Sequence, residues 1–190
     1  MLSSESDRGR WDRKYASGEG PAHFRPKRFL VENQHLLAGR WALDVACGFG
    51  GNSLYLASIG FQVNALDVSG VALSRARAEA LGRGLTINWV QVDLAQWWHP
   101  PGHYDLATVF FYLKRNLMPH LASTLRPGGL LIQANHHKGF LKLRPDFSPG
   151  YLLEQGELRQ MAVDAGLEIL YYADSTPGQD YDSLLIARRR

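Results

Sequence analysis

A doubly wound α/β sheet of seven strands, mostly parallel with the last strand antiparallel, is the fold that this sequence predicts. Three observations carry it. The first is the stretch Trp41-Ala-Leu-Asp44-Val-Ala-Cys-Gly48-Phe-Gly50-Gly51-Asn-Ser-Leu54. It reads as a buried strand, a glycine turn, and a helix on which Leu54, Leu56 and Ile59 share a face. Strand, glycine turn and helix open a nucleotide-binding βαβ unit, and the amides that start the helix point at whatever lies there. The second is a set of three acids, Asp44, Asp67 and Asp93, carried by three successive strands. Strand carboxyl ends in a parallel sheet share one edge, where ligands bind. One such Asp serves as readily as a helix cap; three of them beside a glycine turn point to a ligand. The third is the alternation of apolar runs with helix-periodic segments along the chain.

The elements follow in order. Met1 to Gly9 reads as disordered, Arg10 to Ser17 as a short helix with Trp11 and Tyr15 one turn apart, and Ser17 to Pro21 as a loop. Arg28 to Leu37 is a helix with Phe29, Leu30, Leu36 and Leu37 as its apolar positions. The first strand is Trp41 to Ala46, its helix Gly51 to Ser58, and the second strand Gln62 to Leu66. A helix from Val71 ends at Gly82 and Gly84. The third strand is Thr86 to Val92; Pro100-Pro101-Gly102 interrupts; the fourth is Tyr104 to Phe111. A helix over Arg115 to Leu125 leads through Arg126-Pro127-Gly128-Gly129 into the fifth strand, Leu130 to Asn135. Residues 138–153 form a long polar loop, Glu157 to Ala165 a helix closed by Gly166, and Leu167 to Tyr172 and Ser183 to Ala187 the last two strands. The short link between these two returns the last strand antiparallel. The organisation expected is an N-terminal arm with lid helices over 1–39 and a core over 40–190.

Composition sets outer limits. With 190 residues, 45% hydrophobic and 21% charged, the chain is an ordinary globular domain with a real core. The net charge of +3 gathers near the termini, in Arg188-Arg189-Arg190 and around Arg8 to Lys14. No basic stripe interleaves with aromatics, so nucleic acid is not expected as a partner. The single Cys47 excludes an internal disulfide and a cysteine zinc site, and it reads as a small buried residue rather than a nucleophile. No metal-ligand cluster is visible. No apolar run reaches the roughly 20 residues of a membrane span. The polar start, Met-Leu-Ser-Ser-Glu-Ser-Asp, lacks a signal-peptide core, and the expected location is cytoplasmic. The oligomeric state is left open.

On these residues the chain resembles the class I S-adenosylmethionine-dependent methyltransferases over nearly its whole length, which implies a Rossmann-like sheet. The motifs are Leu43-Asp44-Val45-Ala46-Cys47-Gly48-Phe49-Gly50, Ala65-Leu66-Asp67-Val68-Ser69, Val92-Asp93-Leu94, Tyr104-Asp105-Leu106 and Leu125-Arg126-Pro127-Gly128-Gly129-Leu130-Leu131-Ile132. The class usually has glycine where Ala46 stands. Two further stretches, Trp11-Asp12-Arg13-Lys14-Tyr15 and Tyr151-Leu152-Leu153-Glu154-Gln155-Gly156-Glu157-Leu158, resemble the tellurite-resistance and thiopurine methyltransferase-like branch, which has Arg where Lys14 stands. The cofactor implied is S-adenosyl-L-methionine. By the resemblance, Asp67, with Val68 beside it, takes the ribose hydroxyls, and Asp93 the adenine amino group, with Leu94 against the ring. Ala46, Gly48 and Gly50 pass the methionyl and ribose portion, Asp44 sits near the tail's ammonium, and Trp11 and Lys14 meet the methionine carboxylate. Lysine in place of arginine loses the bidentate carboxylate geometry.

The acceptor implied is a small-molecule nucleophile, a thiol or a selenium or tellurium species. Tyr112 and Arg115 after the fourth strand, and His136 and His137 after the fifth, are the acceptor-side candidates. Adjacent strand residues point to opposite faces, so only one histidine of the pair can serve as a base or orienting donor. The other reading of both is a polar strand end. Two rival functions stand beside this one. A nicotinamide oxidoreductase is weakened by Ser53 at the third glycine position and by the absence of a catalytic Tyr/Lys signature. A non-catalytic module that only binds adenosylmethionine would carry the same three acids.

Overall fold

The computed structural model describes residues 7–18, 24–174 and 181–190. Its strands are β1 (Trp41–Val45), β2 (Gln62–Asp67), β3 (Asn88–Gln91), β4 (Tyr104–Phe110), β5 (Leu125–His136), β6 (Leu167–Asp174) and β7 (Asp182–Arg189). They form one seven-stranded sheet in the order β3-β2-β1-β4-β5-β7-β6. By internal packing the chain falls into two units, Met1–His99 and Pro100–Arg190.

In the first unit, β2 runs parallel to β1 and to β3, with Asp44 opposite Ala65 and Asp67 opposite Gln91. Ala42 to Val45 are all buried, as a parallel strand covered on both faces requires. Helix α1 (Asp7–Ala16) and the short α2 (Arg28–Glu32) precede β1. Helix α3 (Gly51–Ser58) follows β1, and α4 (Gly70–Gly82) follows β2. Leu54, Leu56, Leu73, Ala76 and Ala80 bury the inner faces of these two helices.

In the second unit, β4 is parallel to β5, while β7 is antiparallel to both β5 and β6. The antiparallel return expected from the short last link is therefore present. Helix α5 (Met118–Thr124) lies before β5 and α6 (Glu157–Asp164) before β6. Leu106, Val109, Leu131, Ile132, Leu185 and Ile186 form the centre of this half.

Several boundaries differ from expectation, each for a local reason. Residues 7–9, expected to be disordered, are the first turn of α1, where Asp7 accepts from Arg10 Nη2 at 2.9 Å. The rest of that expected disordered stretch, residues 1–6, lies outside the described residues. The helix expected over Arg28 to Leu37 stops at Glu32. The Asn33 side chain donates to the Phe29 carbonyl at 2.8 Å, and a 3-10 turn over Gln34–Leu36 replaces the second half. The helix expected from Arg115 begins as a 3-10 turn, Arg115–Leu117, and becomes α-helical at Met118 with Pro119 in its first turn. Strand β5 starts at Leu125 rather than Leu130, because Leu125 already pairs with Tyr104. The 138–153 loop holds two 3-10 turns, Lys138–Lys142 and Pro149–Tyr151.

Candidate functional site

The first unit brings the glycine turn and two of the three acids into one buried cluster. Asp67 ends β2 with 5% exposure. Its two oxygens accept separately, Oδ2 from the Gly48 amide and Oδ1 from the Ser69 amide, both at 2.8 Å. Burial raises its pKa above the ordinary carboxylate range, against the lowering effect of the Ser69, Gly48 and Val68 amides. A carboxylate has about four acceptor positions, and these two bonds leave lone pairs on both oxygens. Ribose hydroxyls are the kind of donor that would complete them, so the residues present fit an adenosine-type cofactor.

Asp44 is buried behind the turn and accepts from Ser53 Oγ at 2.5 Å, which ties the end of β1 to the start of α3. Gly48 and Gly50 both take positive φ, as expected for the turn. Ala46 does too, at φ 54°, which puts an L side chain in the left-handed region. Its carbon marks the cost of having alanine where the class has glycine. A side chain at Gly51 would collide with the Arg25 carbonyl, so the turn is closed on its outer side by backbone. Cys47 donates its amide to Leu66 O at 2.9 Å. Burial, with Asp44 and Asp67 nearby, raises its thiol pKa well above the usual range, which disfavours the thiolate form.

Asp93 is exposed just past the end of β3 and accepts from the Ala95 amide at 2.8 Å, while Leu94 beside it is 7% exposed. Val68 contributes its carbonyl to Gln91 Nε2 at 3.1 Å.

Helix α1 docks onto this cluster. Tyr15 stacks with Trp11 at 5.7 Å and meets Phe49 at 4.9 Å, and Phe24 also packs against Phe49, at 5.9 Å. A Cβ at Gly48 would lie 2.7 Å from the Tyr15 hydroxyl, so this glycine is needed for the helix to approach. Burial raises the Tyr15 hydroxyl pKa strongly, with Asp67 adding to it. Asp12 Oδ1 accepts from Ser69 Oγ at 2.5 Å and from the Val71 amide at 3.2 Å. It thus shares the capping of α4 with Ser69, whose own Oγ accepts from Ala72 N. Lys14 is exposed, its ammonium 4.7 Å from the Trp11 ring centroid. Sequence reasoning missed Asp12 and Ser69. The signal available for Ser69 was its place between Asp67 and a helix, a cap position; nothing local marks Asp12.

The acceptor-side candidates lie in the second unit and divide sharply. His137 is buried, and its Nδ1 accepts from the Gly139 amide at 3.0 Å, capping the 3-10 turn that follows; its ring packs on Tyr181. Arg115 is committed to Glu157 through two bonds and to the Leu152 carbonyl at 3.1 Å. Those bonds raise the arginine's pKa and lower that of Glu157. Tyr112 is half-buried just after β4. His136 is half-buried, and its Nδ1 lies 2.5 Å from Asp182 Oδ1, its direct partner across β5 and β7. Its ring is stacked on Phe140 at 4.0 Å, with Phe111 at 4.5 Å. The sequence placed His136 and His137 together; the structure gives one a capping task and the other a carboxylate partner. Asp182 was invisible to sequence reasoning, because only the antiparallel return of β7 brings it to His136. Among the described residues no helix is long and apolar enough to cross a membrane.

Comparison with known proteins finds what this segment is similar to. Residues 42–129 match the family described as Methyltransferase domain. A ubiquinone biosynthesis O-methyltransferase of Burkholderia vietnamiensis is 31% identical over 107 residues, which is 52% of this chain and 45% of that protein. One of Thiobacillus denitrificans is 26% identical over 175 residues, covering 81% of this chain and 74% of that protein. The chain spans about half the length of the first curated relatives it matches. Among solved structures, magnesium protoporphyrin IX methyltransferase from Synechocystis, with bound SAH, superposes with a TM-score of 0.66 at 23% identity, over 100% of this chain and 90% of that one. The methyltransferase match supersedes the nicotinamide alternative. The relatives named here are ubiquinone biosynthesis enzymes rather than members of the tellurite-resistance and thiopurine branch. The glycine turn and the three acids Asp44, Asp67 and Asp93 all lie inside the segment that matches a methyltransferase domain, and the strand order belongs to the fold shared with the solved neighbour.

Proposed function

We propose that this chain transfers a methyl group from S-adenosylmethionine to a small-molecule nucleophile. The observation that carries the reading is Asp67: a buried carboxylate fixed by two backbone amides, with acceptor positions left on both oxygens. When bound, the cofactor supplies a methyl group already activated by positive sulfur. The tasks left to the protein are alignment and exclusion of water. Asp67 holds the ribose hydroxyls, Asp93 and Leu94 the adenine, and Gly48 and Gly50 leave room for the chain between them. Asp44 with Ser53 stiffens the turn from behind and sets its charge near the methionyl ammonium.

Residues 1–39 act as arm and lid to the core over 40–190. The docking of Trp11, Asp12 and Tyr15 on the turn and on the start of α4 supports this. The loop expected over Ser17 to Pro21 lies partly outside the described residues, at 19–21. In this reading Lys14 is free to approach the methionine carboxylate only by leaving the Trp11 ring.

A thiol or a selenium or tellurium species is the acceptor that the branch resemblance implies; an oxygen nucleophile is what the names of the Burkholderia and Thiobacillus relatives carry. Turnover tests the proposal. Purified protein with labelled adenosylmethionine and a panel of thiols, selenite, tellurite and phenols should give a methylated product by mass. Adenosylmethionine binding without turnover on any acceptor would leave the binding-module alternative standing. Methylation confined to protein or RNA would overturn the substrate class.

A further inference from the structure

Helix α1 touches the two residues that hold Asp67, and it does so from one face. The Asp67 oxygens are fixed by the Gly48 amide on Oδ2 and the Ser69 amide on Oδ1, each at 2.8 Å. On α1, Asp12 and Tyr15 stand three positions apart, the spacing that puts two side chains on one side of a helix. Asp12 Oδ1 accepts from the Ser69 hydroxyl at 2.5 Å and from the Val71 amide at 3.2 Å. The Tyr15 hydroxyl lies against Gly48, 2.7 Å from the point where a Cβ would stand. Capping of α4 does not require this arrangement, since Ser69 Oγ already accepts from the Ala72 amide at 3.2 Å. The two carboxylates are also neighbours in charge: burial is the main cause that raises the Asp67 pKa, and the Asp12 charge adds to it. Ten residues are too few for α1 to be a stable helix alone, so its docked population is set by the contacts it makes.

We infer that α1 is a positioning clamp for Asp67, with Tyr15 on Gly48 and Asp12 on Ser69 presetting both carboxylate oxygens for the two hydroxyls of a ribose. The inference deepens the methyltransferase reading and rests on it. A ligand that needs both oxygens of a carboxylate in one orientation loses affinity to any freedom the carboxylate keeps. The two amides hold Asp67 only as firmly as their own backbone is held. Gly48 lies in the glycine turn at φ 54°, and Ser69 lies in the link between β2 and α4, so neither sits inside a strand or a helix. Docking of α1 braces both. The linkage runs in both directions: a docked arm raises affinity for the ribose, and a bound ribose favours the docked arm by the same factor. A lid that merely covered the ligand would add the same affinity with or without the ribose hydroxyls. Asp12 and Tyr15 act through Ser69 and Gly48, and neither needs to touch the ligand.

The test is titration calorimetry of the full chain with S-adenosylhomocysteine and with its 2′,3′-dideoxyribose analogue. Asp12→Ala, alone or with Tyr15→Phe, which keeps the ring stack, should weaken binding of the hydroxylated ligand about fivefold or more. Both variants should leave affinity for the dideoxy analogue unchanged, and Asp12→Ala should add nothing to the loss in Asp67→Ala. Thermal melts show that each variant is folded. The reciprocal effect is read by trypsin cleavage at Arg10, Arg13 and Lys14 inside α1. Saturating S-adenosylhomocysteine should slow that cleavage in the wild type about fivefold or more, and the saturating dideoxy analogue should not. Equal affinity in Asp12→Ala, losses of the same size for both ligands, additive losses with Asp67→Ala, or cleavage slowed alike by both ligands would overturn the clamp while the methyltransferase reading stands. Absence of adenosylmethionine and adenosylhomocysteine binding by the wild-type chain would overturn that reading itself.

Discussion

The two halves of this molecule hold their functional groups by different means. In the first, the carboxylate that ends β2 is fixed by backbone amides. Asp67 is gripped by the Gly48 and Ser69 amides, and Asp44 by a serine nine positions along the same strand–turn–helix. In the second, side chains are fixed by one another across long stretches of chain. His136 meets Asp182, and Arg115 meets Glu157. A backbone-held site tolerates change in its surroundings but not in its glycines and acids. A site held by side-chain pairs depends on partners that no local pattern reveals. The difference matches the tasks proposed for each half, since the cofactor is constant across the class while the acceptor varies.

The contrast can be broken most forcefully at the arm. Deleting residues 1–17 removes Trp11, Asp12 and Tyr15 from the turn. The sheet is expected to remain folded by circular dichroism, with cofactor binding weakened and transfer abolished. An unchanged turnover number in the truncated protein would refute the lid. The single variant Asp12→Ala isolates one part of this contact. It leaves Ser69 Oγ and the Val71 amide without their acceptor, and a loss of about 1–2 kcal/mol in thermal or chemical stability is expected, at the scale of a lost helix cap. A melt equal to wild type would show that the shared cap carries nothing.

Ala46 sharpens the comparison in the opposite direction. Its φ of 54° costs an L residue about 1–2 kcal/mol, part of which glycine gives back through chain entropy. Ala46→Gly should therefore raise stability by up to about 1 kcal/mol in urea unfolding, with cofactor affinity preserved. Destabilisation would mean that the methyl group packs usefully despite the strain.

The smallest effect is expected at Arg115, where a half-exposed pair tests the second half. Arg115→Ala should cost about 1 kcal/mol or less, because solvent screens the pair with Glu157. The sign with pH follows from Glu157, whose pKa is lowered chiefly by its hydrogen bond from Arg115. A depressed folded pKa contributes stability that is present above the unfolded value, about 4.3, and is lost as pH falls through the folded one. Wild type and Arg115→Ala should differ at neutral pH and converge below about pH 4. A gap that persists into acid would show that the arginine acts through packing and its bond to Leu152.

What could be read from the sequence follows the same division. The sheet, its glycine turn and the strand-end acids are legible because each is a local pattern: an apolar run, a φ > 0 residue, an acid after a strand. Element ends were less legible, since Asn33 bonding back to Phe29 shortens a helix that periodicity alone extends. The partners of the site were not legible at all. Asp12 reaches Ser69 and Asp182 reaches His136 only after helices and strands have packed. Arg115 shows the same limit from the other side. As a free cation after the fourth strand it suggests an acceptor ligand, but folding brings Glu157 and the Leu152 carbonyl to it. His137 likewise becomes a cap once Gly139 turns back on it.

Titration calorimetry of adenosylmethionine into the wild-type chain and into Asp67→Ala tests the central claim most directly. Wild type should bind, and the variant should bind more weakly by about 1–3 kcal/mol, because two ribose hydroxyls lose their acceptor in a buried site. Equal affinity in a variant that melts normally would contradict the account, since Asp67 would then not be the residue that holds the cofactor.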